Sequence, residues 1–155
     1  AEADASLSSS QTEVPLEKRM VYGDFSLSVS GYADIISPGD GVHTVEEIKT
    51  VSSFPRGLSA LSYPEHFAQA AVYAYIYAET AALSEVDVRL SYIKRSNGEK
   101  VMFTSRFSLA ALTKMFETLL SRAYVIINAF ADRYRVFPTS CRFRILRYAR
   151  DSWNS

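Results

Sequence analysis

Three side chains in the stretch GYADIISPGDGVHTVEEIK (31–49) have the types and spacing for chemistry on a phosphodiester: Asp34, Glu47 and Lys49. Hydrolysis of a phosphodiester near neutral pH calls for a divalent cation to polarise the phosphoryl oxygen and acidify a water. Hard cations such as magnesium take oxygen ligands, often one or two carboxylates. A positive group must also orient the water and offset charge developing on the phosphorane. Asp34 and Glu47 are candidate metal ligands, and the backbone carbonyl of Ile48 is a candidate third. Lys49 is the candidate positive group.

The surrounding residues read as two strands and a turn. The alternating run from Phe25 to Val29 leads into a strand through Ile36. SPGDG (37–41) is turn chemistry, with Pro fixing φ and Gly and Asp tolerating positive φ. Val42–Val51 is the return strand. Side chains alternate across a strand, so Val45, Glu47 and Lys49 share one face and Thr44, Glu46 and Ile48 the other.

A helix is expected next, starting at Pro64, where a missing N–H is no loss, and reaching about Ala82. It is so rich in Ala and aromatics that most of its circumference should be buried. Gln69 and Tyr73 are four apart on it and share a face, with His66 three residues before Gln69. A buried glutamine without partners costs about 1–3 kcal/mol, so this polar stripe requires neighbours. Val86–Lys94 and Val101–Phe107 read as a hairpin around Asn97-Gly98. Ser108 caps a second helix, from about Leu109 to Tyr134. The order of strands, helix, two strands and helix gives an α+β (α/β-like) fold, one mixed sheet with flanking helices.

The chain has 155 residues, consistent with one domain, and 17 basic residues balance 17 acidic ones. No global field therefore advertises a nucleic-acid partner. Six of the twelve Arg nevertheless lie between Arg133 and Arg150, a span without an acid. That segment reads equally as a phosphate-binding patch or as a surface helix or stub of a following domain. The lone Cys141 excludes an internal disulfide and a four-cysteine metal site, and it fits a reducing, cytoplasmic location. No apolar run is long enough to span a membrane, and the N-terminus lacks the pattern of a signal peptide. With no initiator Met, a fragment or processed chain is expected. Residues 1–20 read as a linker or truncated segment, 21–137 as the domain, and 138–155 as an Arg-rich tail or the start of a following domain.

Taken singly, each motif is ordinary: Glu-x-Lys on a strand is commonly a solvated ion pair, and Asp34 could be a turn-flanking charge. Their order is more specific. G31-Y-A-D34, E47-I-K49 and H66-F-A-Q69-A-A-V-Y73 together resemble the PD-(D/E)XK nuclease superfamily, in its RecB-type branch, over about residues 21 to 137. The resemblance is nearest to the nuclease-like domains of DinG/XPD-type helicases. It implies a restriction-endonuclease-like core with Mg2+ or Mn2+ at Asp34 and Glu47, and Lys49 as catalytic lysine. Gln69 and Tyr73 would contact DNA and the region of the lysine. It also implies DNA as partner, and a helicase domain in the same full-length chain. The expected activity is that of a metal-dependent, exonuclease-type deoxyribonuclease. The alternative is a catalytically silent module of the same fold that binds DNA or docks on a helicase. Ala33 stands where the family often has Pro. Residues 1–20 hold no version of the family's N-terminal helix with its Glu and, often, a His ligand.

Overall fold

The computed structural model describes residues 9–22, 25–134 and 140–144. Its elements are β1 (Gln11–Tyr22), β2 (Phe25–Ser37), β3 (Thr44–Val51), α1 (Pro64–Thr80), β4 (Glu85–Lys94), β5 (Lys100–Ser108), α2 (Leu109–Tyr134) and β6 (Ser140–Arg144). The strands form one mixed sheet in the order β1-β2-β3-β4-β5, with β6 beside β2. Neighbours are antiparallel except β3/β4 and β2/β6, which are parallel. Two parallel neighbours need a crossover, and α1 is the one between β3 and β4. The α+β class expected from the sequence is the class observed.

α1 packs across the sheet and is covered in turn by α2. Ala70, Ala71, Val72, Tyr73, Ala74, Tyr75, Ile76 and Ala78 are all buried, which spans most of the helix circumference. Small Ala side chains allow close approach to the sheet, while Tyr75 stacks on Phe116 of α2 with ring centroids 4.4 Å apart. The sheet face beneath α1 carries Val45, Val86, Val88, Leu90 and Tyr92, all buried. No helix among the described residues is long and apolar enough to cross a membrane.

One expectation needs correction. The linker expected over 1–20, with at most a turn or strand lead-in at Leu16–Met20, ends at Gln11, where β1 begins. β1 pairs with β2 from Gln11–Ile36 to Tyr22–Phe25. Its period was hidden by Pro15 and the charges Glu17, Lys18 and Arg19. Pro is tolerated because β1 is an edge strand. Leu16 is buried, Val14 and Met20 pack against the core, and Lys18 points the same way. That lysine is paired with Glu79 of α1 and lies 5.4 Å from the centre of the Tyr75 ring. Residues 1–8 lie outside the described residues. So does the Arg-rich tail at 135–139 and 145–155; the backbone of 140–144 is β6.

β2 is the strand that shapes the site. Its second edge pairs with β6 over 26–30 and with β3 only over 35–37. Among the described residues no strand pairs with that edge over 31–34. Leu27, Val29, Gly31 and Ala33 are buried in alternation, and then the buried position shifts by one, to Ile36. At this shift the pair Glu13–Asp34 drops out of the β1/β2 register, and Glu13 takes φ +54°. The local irregularity places Asp34 where β2 and β3 part.

Gly31 lies under α1 at the same opening. A Cβ added there would fall 2.5 Å from Tyr73 Oη and 2.7 Å from Tyr73 Cε1, so glycine lets the tyrosine sit against β2. Gly31→Ala is expected to destabilise the chain by about 1–3 kcal/mol through overpacking. Urea unfolding measures this, and an unchanged midpoint would contradict the close packing.

Candidate active site

Glu47 and Lys49 project from β3 toward α1, as strand alternation requires. Glu47 is 2% exposed. A carboxylate so buried is costly unless it is paired and hydrogen-bonded. Lys49 Nζ supplies the pairing at 2.7 Å from Glu47 Oε1. The ammonium also donates to Gln69 Oε1 of α1, at 2.8 Å. The Gln69 amide then has a fixed orientation, because its oxygen faces the ammonium. Its Nε2 donates to Tyr73 Oη at 3.2 Å. Tyr73 in turn rests against Gly31. One continuous row therefore runs Glu47, Lys49, Gln69, Tyr73, Gly31, across β3, α1 and β2.

Asp34 joins this row from the parted edge of β2. Its Oδ2 accepts the backbone N–H of Ile48 at 2.7 Å. A side-chain carboxylate takes the place that a β2 carbonyl would hold if the β2/β3 ladder continued. N–H and C=O of one residue in an extended strand point to the same edge, so the Ile48 carbonyl shares the Asp34 edge. Glu47, Lys49, Gln69 and Tyr73 are thus joined in one row, while Asp34 meets β3 at the Ile48 N–H, between Glu47 and Lys49 in sequence.

Among the described residues no group of three or more His, Cys, Asp or Glu side chains is gathered to hold a metal ion. The candidate donors expected from the sequence, Asp34, Glu47 and the Ile48 carbonyl, would make a set of two carboxylates and one carbonyl. That set suits magnesium or manganese, which keep waters and substrate oxygens in their remaining positions. It does not suit zinc, whose sites favour nitrogen and sulfur donors.

Two features are not evident from the sequence. His66, which shares the polar stripe with Gln69, lies with Nδ1 3.1 Å from the hydroxyl of Tyr92, a partner that no local pattern marks. Tyr92 is paired in register with Lys49. Burial pushes the His66 imidazole below its ordinary pKa, and the Lys49 charge lowers it further against the opposing effect of Glu65. The signal for Tyr92 was its place on the helix-facing parity of VDVRLSYIK, three residues behind an Arg on the opposite parity. The second feature is Gly31, whose role depends on an approach by α1 that only the fold reveals.

Glu46 lies on the other face of β3, outside the site, as alternation predicts. It is 5% exposed and accepts hydrogen bonds from Ser91 Oγ at 2.6 Å and Lys100 Nζ at 2.9 Å. Arg89 Nη1 lies 3.7 Å away.

No family model matches the chain, and no curated protein matches it. Among solved structures the chain is similar to one titled "Crystal structure of SSO0001", with 21% identity and a TM-score of 0.46. The match covers 72% of this chain and 50% of that one, so this chain spans half the length of that structure.

Glu46 gives a stability test. Burial alone would raise its pKa, but hydrogen bonds from Lys100 and Ser91 and the charges of Lys100 and Arg89 hold it below the ordinary carboxyl value of 4.5. A depressed carboxyl contributes stability that is full above the unfolded-state pKa and lost as pH falls through the folded one. Glu46→Gln is expected to cost about 1–3 kcal/mol at pH 7, with the gap to wild type closing below about pH 4. Urea midpoints from pH 3 to 7 measure this; a gap independent of pH would refute it.

Proposed function

We propose that the chain is a metal-dependent DNA nuclease domain with the restriction-endonuclease-like architecture of the RecB-type branch. The observation that carries this reading is the joined set of Asp34 at the parted β2/β3 edge and the row Glu47–Lys49–Gln69–Tyr73. The strand order supports it as well: an antiparallel β2/β3 pair, a crossover helix, then a parallel β4.

Asp34, Glu47 and the Ile48 carbonyl would hold Mg2+ or Mn2+, which when bound polarises a phosphoryl oxygen and lowers the pKa of a water. The protein's own residues do the rest. Lys49 orients the attacking water and offsets charge on the phosphorane. Glu47 holds the lysine beside it through their ion pair. Gln69 holds the ammonium from the helix side, and its bond to Tyr73 prevents the amide from turning its NH2 toward the cation. Tyr73, lodged on Gly31, transmits the position of α1 to the site. Burial of Glu47 excludes water from one side of the pair, which strengthens the local electrostatics. A helicase domain in the full-length chain would supply single strands to such a site.

The test is degradation of linear single- and double-stranded DNA with manganese. Activity is expected to vanish with EDTA and to fall at least about 100-fold in Lys49→Ala, with the far-ultraviolet spectrum unchanged. No loss in Lys49→Ala would sink the enzymatic reading. DNA binding without calorimetric manganese binding would instead support a silent module that binds DNA or docks on a helicase.

A further inference from the structure

His66 stands three residues, about 4.5 Å of helix rise, before Gln69 on the face of α1 that meets the sheet. The polar row Tyr73, Gln69, His66 therefore continues past Lys49 toward the loop that precedes α1. The chemistry of His66 is set by its neighbours. Tyr92 is fully buried, and burial with Tyr63 and Glu65 pushes its phenol up to about 12. The phenol keeps its proton and has it to donate. Burial and the Lys49 charge favour the neutral imidazole, whose Nδ1 stands 3.1 Å from that hydroxyl. A neutral imidazole that accepts at Nδ1 carries its own proton on Nε2.

His66 Nε2 has no hydrogen-bond partner among the described residues, and it is not a buried atom. The ring cannot swing freely, because Tyr63 lies 5.0 Å away and Tyr92 5.8 Å away, centroid to centroid. Tyr63 and Tyr92 thus hold the ring, with its Nε2 not buried, near the Lys49 charge. The charges facing it are Lys49 from β3 and Glu65 from its own helix. A neutral donor next to an ammonium suits an anionic oxygen. It adds a directed hydrogen bond without a second positive charge that would compete with Lys49 for Glu47.

We propose that His66 donates its Nε2–H to the phosphate adjoining the scissile one, so that the site selects an extended polynucleotide strand over an isolated phosphodiester. The assignment of the scissile position rests on the nuclease reading above. His66 is a substrate-binding residue here, with Tyr92 as its positioning residue.

Two manganese-supported substrates test this: bis(p-nitrophenyl) phosphate, a single diester, and a fluorescein-labelled single-stranded oligodeoxynucleotide. His66→Ala is expected to raise the oligonucleotide KM about tenfold, the size of one hydrogen bond to a charged group. The loss on the oligonucleotide should exceed that on the single diester at least fivefold. His66→Gln, which keeps an N–H donor, should recover most of it. Equal losses on both substrates, or no loss on the oligonucleotide, would overturn the proposal. Nitrogen NMR of the folded wild type should show the proton on Nε2, and a proton on Nδ1 would equally overturn it. Anisotropy of the same oligonucleotide with calcium gives a readout independent of turnover, in which His66→Ala should weaken binding about tenfold. If the wild-type chain hydrolyses neither substrate, the nuclease reading fails and anisotropy alone decides the contact, with an unchanged affinity overturning it.

Discussion

The site depends on a buried ion pair, Glu47 with Lys49, set two residues apart on one strand face. Taking both charges out of water costs several kcal/mol per ion, and their attraction offsets this only when further hydrogen bonds complete the pair. The further bonds come from outside the strand. Gln69 accepts from Lys49, and it can do so only while α1 holds its station over β3. Tyr73 fixes the amide of Gln69, and Gly31 leaves the space that Tyr73 fills. The fold thus converts a common local motif, Glu-x-Lys, into an uncommon one, a desolvated pair held by a second element. A solvated strand face would have left the lysine mobile and the carboxylate hydrated.

A second constraint acts in the plane of the sheet. A continuous β2/β3 ladder would satisfy Ile48 N–H with a backbone carbonyl and leave no gap between the strands. Here β2 divides its second edge between β6 and β3, and Asp34 sits at the end of the stretch between. Its carboxylate satisfies the Ile48 N–H that the interrupted ladder leaves without a backbone partner. The same bond fixes Asp34 near the Ile48 carbonyl. The acid closes a structural gap in the sheet at the point where β2 becomes irregular.

The helices, the hairpin after α1 and the face of Glu47 and Lys49 were legible in the sequence because each rests on a local period or a local turn. α1 was plain from its alanines and Pro64, and Asn97-Gly98 marked its hairpin. β1 was not legible, because its inward position 18 is a lysine. Only a partner from α1, Glu79, makes that residue an interior one, and no local pattern announces a partner 61 positions away. Tyr92 and Gly31 were obscure for the same reason. Their meaning lies in register and in the approach of α1 to the sheet, both tertiary. Gln69 and Tyr73 stood between these cases: helical spacing placed them on one face, and the cost of burying an amide argued for partners, but the identity of the partner awaited the fold.

The adjacent acids of β3 show why register is so tightly held. Glu46 and Glu47 differ by one position, and a one-residue slip would exchange their faces. In that slipped strand a carboxylate would still meet α1, but Lys49 would turn away and Ile48 would replace it opposite Gln69. Apolar packing discriminates weakly between these registers, since β3 carries few apolar side chains besides Val45 and Ile48. The polar groups discriminate strongly. Glu46 is bound by Ser91 and Lys100 across β4 and β5, with Arg89 alongside, and each of these faces away from α1. A slip would strand that cluster without its carboxylate and leave Ser91, which is fully buried, without its acceptor. Glu46 takes no part in the site, yet its hydrogen bonds make the arrangement of Glu47 and Lys49 the favoured one. The two faces of the strand are therefore coupled: one holds the register that gives the other its chemistry.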